Sequence, residues 1–113
     1  MVEHNRGATL LDDTFAAIAH PTRRELLEAL SDGPARITDL AEPFDVSLAA
    51  VSKHVQVLEQ ASLVRRSVHG REHIVHVSPD PLAAAEDWLA SYRTFWETRL
   101  DALEAHLRER LDD

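Results

Sequence analysis

There is no cysteine among the 113 residues, which removes disulfides, thiolate metal sites and thiol redox switches together. No apolar run approaches the roughly 20 residues of a membrane-spanning helix. The stretch Met1-Val2-Glu3-His4-Asn5 lacks the basic-then-apolar order of a secretion signal. Glycine is scarce, at three residues, and none sits in a phosphate-cradling loop. A nucleophile elbow and a carboxylate pair in a pocket-forming fold are missing too, so the chain does not read as an enzyme. Lys and Arg number 12 against 20 Asp and Glu, for a formal net charge of −8. With 44% hydrophobic residues the composition is that of an ordinary globular chain, long enough for one domain.

The negative charge is uneven. Residues 1–45 hold nine acids and four Arg, and residues 80–113 hold nine acids and four Arg, so each end carries −5. Residues 46–79 set Lys53, Arg65, Arg66 and Arg71 against Glu59 and Glu72, for +2, and contain four of the seven His. Local field, not total charge, decides whether a phosphate backbone is attracted. A solvated surface would have the same composition, so charge alone does not decide between them.

Residues 1–9 are polar and read as a loose lead-in. From Leu10, the spacing of Leu11, Phe15, Ile18 and Ala19 predicts a helix over 10–20. Pro21 suits the first turn of a second helix with Leu26, Leu27 and Leu30 on its inner face, stopped by Asp32-Gly33-Pro34. Ala35-Arg36-Ile37 is short and extended. Thr38 offers an N-cap to a brief helix carrying Leu40, Ala41 and Phe44, and Pro43 keeps it brief. Ser47 caps the next helix, which runs to about Ala61 with Val51, Val55 and Leu58 on one face. Two helices joined in this way form a helix-turn-helix. The β-branched stretch 63–77, with Gly70 at its centre, reads as a hairpin. The expected fold is mainly α with a small β-hairpin: a winged helix-turn-helix of about five helices and a two-stranded wing, one domain over 10–113.

Asp80 and Pro81 open a final helix as N-cap and first helical residue, and no Gly or Pro interrupts 82–113. Leu82, Ala85, Leu89, Tyr92, Trp96, Leu100, Leu103, Leu107 and Leu111 recur every three or four residues. Fully helical, this segment would reach about 48 Å, beyond a globule whose radius of gyration should be roughly 13 Å. An overhanging apolar stripe calls for a partner, and a second copy across a two-fold axis is the economical one. Helices 10–20 and 81–111 are therefore the expected dimerisation elements.

The segments AHPTRRELLEAL and DLAEPFDVSLAAVSKHVQVLEQASLVRRSVHGRE resemble the ArsR/SmtB-type winged-helix repressors over roughly residues 10–78. The specific parts are Val51-Ser52-Lys53-His54 with Val55, Leu58 and Glu59, then Leu63-Val64-Arg65 entering a wing tipped by Gly70-Arg71. Trp88, Tyr92, Phe95-Trp96 and Leu100-Asp101 resemble a cysteine-free branch with an aromatic last helix. The resemblance implies a homodimer that binds palindromic operators, usually as a repressor and often with a metal inducer. Arsenic- and cadmium-type members carry Cys-x-Cys where this chain has Arg36-Ile37-Thr38, which cannot bind a soft metal. Of the zinc-type ligands on the last helix, His106-Leu107-Arg108-Glu109 matches only the second half. Ser62 stands where the family commonly has Gly.

Major-groove reading needs short polar or apolar side chains on the outer, early turns of a helix. Ser52 and Lys53 are the expected base readers, Ala49 can meet a thymine methyl, and Ser47 and Gln56 are expected at phosphates. His54 either touches phosphate or packs at the core edge. In the wing, Arg71 is the natural groove or phosphate probe, assisted by His69. Arg65 and Arg66 alternate, so one faces DNA while the other pairs with an acid such as Glu72; Arg65 is the candidate for contact. Arg23 and Arg24 could touch backbone or pair with Asp12, Asp13 or Glu28.

The expected dimer interface comprises Leu11, Phe15, Leu89, Tyr92, Phe95, Trp96, Leu100 and Leu103. An apolar effector pocket lined by the same rings is the alternative use of this cluster. Spacing puts His73 and His76 on opposite faces of a strand, which argues against a hairpin metal site. His106 and Glu109, one turn apart, are weak metal candidates, and no cofactor is expected. The expected function is a cytoplasmic, sequence-specific regulator of double-stranded DNA, with no membrane partner and an unidentified small-molecule effector possible. A protein-interaction winged helix without DNA binding, or a non-thiol metal sensor, is the alternative.

Overall fold

The computed structural model describes residues 2–112, with side-chain surroundings from Leu10 onward. Among the described residues the order is α1 (Val2–Ile18), α2 (Pro21–Leu30), β1 (Ala35–Arg36), α3 (Ile37–Ala41), α4 (Leu48–Gln60), β2 (Val64–His69), β3 (Glu72–Val77) and α5 (Asp80–Asp112). The backbone of α1 is helical from Val2, ahead of the apolar face that starts near Leu10. The side chains of residues 1–9, read above as a loose lead-in, lie outside the described residues.

The inner faces of α2, α4 and the hairpin meet in one core, where Leu26, Val51, Val55, Leu58, Leu63 and Val75 are buried. The strands form an antiparallel sheet in the order β1-β3-β2, with Val64 opposite Val77 and Ala35 opposite Val75. The extended pair Ala35–Arg36 thus closes the free edge of β3 as a third strand, satisfying backbone groups that a bare two-stranded wing would expose.

Two helix starts differ from expectation. Thr38 is not the N-cap of α3: the helix begins at Ile37, and Arg36 occupies the cap position without a side-chain hydrogen bond. Ile37 is a buried residue that enters the core directly from β1, so docking rather than capping sets this start. Asp80 is the first helical residue of α5 rather than its cap, because the Ala83 N–H bonds to the Pro79 carbonyl. Its carboxylate still lies at the positive end of the helix.

Ser47 caps α4 as its sequence indicates, its Oγ accepting the Ala50 N–H at 3.1 Å. At the other end, the Ser62 N–H bonds to the Glu59 carbonyl and the Leu63 N–H to the Leu58 carbonyl, each at 2.9 Å. These two bonds make a Schellman cap, which requires a left-handed residue at its pivot. That residue is Ser62, at φ 61°. A left-handed L-residue costs about 1–2 kcal/mol that glycine avoids, partly offset by glycine's larger unfolded-state entropy. Ser62→Gly is therefore expected to stabilise the fold by about 0.5–1 kcal/mol, raising Tm by a few degrees in a circular-dichroism melt. A lowered Tm would count against this account.

At the wing tip, Gly70 takes φ 65° at the first of the two turn positions between His69 and Glu72, a backbone that a two-residue hairpin demands. From there the chain returns to α5, whose 33 residues span about 50 Å. The Cα radius of gyration is 20.0 Å, against about 13 Å for a sphere-like chain of this length. Ala85 is the last buried residue, and residues 86–112 are exposed throughout.

Candidate nucleic-acid interface

Because Val51, Val55 and Leu58 turn inward on α4, the opposite side of the same turns must turn out. Ser47, Ala49, Lys53 and Gln56 are exposed there, and Ser52 is half-buried beside them. The α4 N-terminus adds backbone N–H groups left without helical partners, a place that attracts phosphate. In the hairpin, Arg65, His69 and Arg71 are exposed, with Arg65 and His69 on the outward strand face and Arg71 at the turn.

Two neighbouring arginines are engaged elsewhere. Arg66 does not pair with Glu72. It turns inward and meets Glu59 at the end of α4 at 2.8 Å, while a second nitrogen donates to His73 Nδ1 at 3.2 Å. Glu72 instead takes Arg36 across the outward face at 3.0 Å, and Arg36 also approaches Asp39 at 3.6 Å. Lys53, Arg65 and Arg71 enter no ion pair among the described residues. They are the basic groups of residues 46–79 left free for an anion.

Arg23 and Arg24 pair with none of the acids considered for them. Arg23 donates to the carbonyls of Ala16 and Ala17, and Arg24 donates to that of Ile18 at 2.8 Å. The last carbonyls of α1 have no helical donors and form its negative end, so two guanidiniums delivered by the next helix satisfy both needs.

His54 packs rather than projecting outward. Its ring lies against His20, with centroids 4.4 Å apart, and its Nδ1 accepts from Arg23 at 3.2 Å. His20 Nδ1 in turn accepts the Thr22 N–H at 3.1 Å as the cap of α2. Burial first, then the neighbouring His20 and Arg23, hold the His54 imidazole below its ordinary value of 6.5. The unfolded chain therefore takes up this proton first. The His54 contribution to stability is complete above about pH 6.5 and is lost as pH falls below it. In urea titrations between pH 7.5 and 5.5, His54→Gln is expected to lose stability less steeply than the parent. Equal slopes would overturn this assignment.

The wing histidines separate as the strand period requires. His73 lies on the inner face with Arg66, whereas His76 lies on the outer face, where its ring nitrogen meets Ser67 Oγ at 3.0 Å. His106 and Glu109 sit one turn apart on the exposed part of α5. No group of three metal-ligating side chains occurs among the described residues.

The side chains expected at a dimer interface are brought onto one apolar surface. Leu89, Tyr92, Phe95, Trp96, Leu100 and Leu103 are each 46–58% exposed. Leu11 and Phe15 are half-buried on α1, and Phe15 meets Trp88 edge-on at 5.7 Å. Trp88 stacks on Tyr92 at 5.3 Å, and Arg99 covers Phe95 at 4.4 Å. Beside the α1–α5 contact run two apolar clefts, one of about 510 Å³ reaching from Leu10 and Thr14 to Trp88, the other of about 560 Å³ between Phe15 and Tyr92.

No helix among the described residues is long and apolar enough to cross a membrane. Residues 18–67 match the model of a helix-turn-helix domain family. The HTH-type transcriptional regulator Rv2034 of Mycobacterium tuberculosis is 38% identical over 73 residues, covering 65% of this chain and 68% of that protein. The transcriptional repressor SdpR of Bacillus subtilis is 28% identical over 82 residues, covering 73% of this chain and 91% of SdpR. The crystal structure of an ArsR family transcriptional regulator superposes with a TM-score of 0.76 at 39% identity, covering 80% of this chain and 93% of its own. An ArsR-like transcriptional regulator from Rhodococcus sp. RHA1 gives 0.72 at 29% identity, covering 85% and 91%.

Proposed function

The chain belongs to the ArsR family of helix-turn-helix transcriptional regulators, a DNA-binding regulator and not an enzyme, and from that premise we propose a homodimeric repressor of an inverted-repeat operator. Each subunit inserts α4 into a major groove, with Ser52 and Lys53 at base edges, Ala49 against a thymine methyl, and Ser47 and Gln56 at phosphates. Arg71 probes the adjoining groove or backbone with His69, and Arg65 meets phosphate. The observation that carries this reading is the pattern of unengaged cations: of the basic stretch, Lys53, Arg65 and Arg71 enter no ion pair among the described residues. His54, held by Arg23 and His20, is left out of the contact set.

Dimerisation through α1 and α5 is supported by the exposed stripe along α5. Two recognition helices related by a two-fold axis would enter successive major grooves, about 34–36 Å apart. Repression as the sign of regulation follows the relative SdpR, a named repressor, and the cytoplasm is the place of action. The test is a selection of random duplexes on the purified protein, with Ser52→Ala/Lys53→Ala as control. An inverted repeat recovered by the parent and lost in the control is the expected result. No shared sequence at any salt concentration would overturn the reading in favour of a protein-binding winged helix.

A further inference from the structure

The inner face of β2 runs from Val64, which is 3% exposed, through Arg66, to Val68, which is 57% exposed. The hairpin therefore leaves the body of the protein at Arg66, and on that face nothing apolar supports it further out. At this point the Arg66 guanidinium bridges two elements. It meets Glu59 in the last turn of α4 at 2.8 Å and His73 on β3 at 3.2 Å. The Arg66 and Glu59 side chains are only 19% and 31% exposed. Among the described residues Arg66 Nε has no hydrogen-bond partner, so this is not the arrangement that stability alone would select: an incompletely satisfied, largely buried guanidinium is a poor source of folding energy. Its fixed fork does, however, tie a helix and a strand in one geometry.

We infer that Glu59, Arg66 and His73 set the angle of the wing on the recognition helix, so that Arg66 is a positioning residue for the DNA contact made by Arg71. The inference rests on the reading of α4 and the hairpin as the DNA-contacting elements. Gly70 at the tip lies four residue steps beyond Arg66, a lever of about 13 Å at 3.3 Å per residue. A tilt of about 10° at its base displaces the tip by about 2 Å, more than the whole usable range of hydrogen-bond lengths. The outward pair Arg36–Glu72 also touches the hairpin, but both partners are more than half exposed, and such pairs hold geometry weakly.

The experiment is a set of double-mutant cycles in operator affinity, using the full chain and the operator recovered by duplex selection. Arg71→Ala and Lys53→Ala are each introduced into the parent, into Glu59→Gln/Arg66→Met and into Arg66→Lys. The last keeps the charge but cannot span both partners, and it serves if the paired change fails to fold. In the parent, Arg71→Ala is expected to weaken binding about tenfold. In the altered backgrounds affinity is already reduced by a similar factor, Arg71→Ala adds less than twofold, and Lys53→Ala retains its full effect. A purely structural role for Arg66 would diminish both losses alike. Undiminished loss from Arg71→Ala, or equal attenuation of both, would overturn the inference. An Arg71→Ala change without effect in the parent would overturn the wing reading itself and this inference with it.

Discussion

Trp96→Ala is expected to leave the chain monomeric at concentrations where the parent is dimeric, and to take operator binding down with it. In a single copy Trp96 is 46% exposed, and the aromatic partners found for it, Tyr92 and Phe95, belong to its own helix. Its loss therefore leaves the core of one subunit untouched. Truncating a buried Trp to Ala costs about 3–5 kcal/mol, and aromatic residues near the centre of an interface carry a large share of its energy. Across a two-fold axis each substitution is made twice. Even the lower figure corresponds to a more than hundredfold rise in the dimer dissociation constant. Sedimentation equilibrium over a concentration series measures it directly. The parent's Tm should rise with concentration while the variant's should not, since association stabilises by mass action. A variant that associates like the parent would show that α5 is covered by something other than its own copy.

Ser52→Ala/Lys53→Ala is expected to remove the preference for the selected operator while leaving weak, sequence-independent binding. A good contact to a base edge is worth about 1–3 kcal/mol of discrimination, and the dimer makes it twice, so specificity should fall by two orders of magnitude or more. The fold should not change: Lys53 is exposed and enters no ion pair among the described residues, and α4 keeps its Ser47 cap. The salt dependence separates the roles within this set. A lysine on phosphate contributes about one unit to the slope of log affinity against log salt, whereas a base reader leaves that slope nearly unaltered. Arg65→Ala should accordingly flatten the slope, and Lys53→Ala should chiefly relax sequence preference. A steep slope left intact by every one of these changes would place the phosphate contacts on another surface.

Much of the candidate interface was legible because helix faces and turns are local properties. The three-and-four spacing of Val51, Val55 and Leu58 decides which side of α4 is buried, and hence that Ala49, Lys53 and Gln56 face outward. Ser47 as cap and Gly70 as turn residue follow from backbone geometry within four residues. Ser62, at a position where glycine is usual in the family, is the left-handed pivot of the α4 cap. Polar partners were less legible. The alternation of Arg65 and Arg66 points to an acid such as Glu72 for the one turned from DNA, but the inner face of β2 packs on α4 and brings Glu59 to Arg66 instead. For Arg23 the sequence offers either a backbone contact or an acid partner, whereas the fold sets it on the Ala16 and Ala17 carbonyls at the end of α1, a need that no sequence pattern advertises. Thr38 has the residue type of a cap, but β1 hands the chain directly to a buried Ile37, where the helix starts.

By itself, then, the sequence determined the order of the helices and the hairpin, the inward faces, the basic middle and acidic ends, and the overhang of α5. Each depends on neighbours within a turn or on simple length. The docking of α4 against α1, α2 and the hairpin decided the rest: His54 at Arg23, 31 residues away, Arg36 at Glu72, 36 residues away, β1 on the edge of β3, and the wing seated on Glu59. Charged and imidazole side chains are long and non-periodic, and they take whichever partner packing brings within about 3 Å. Their pairing is a consequence of the fold and not a property of the segment that carries them.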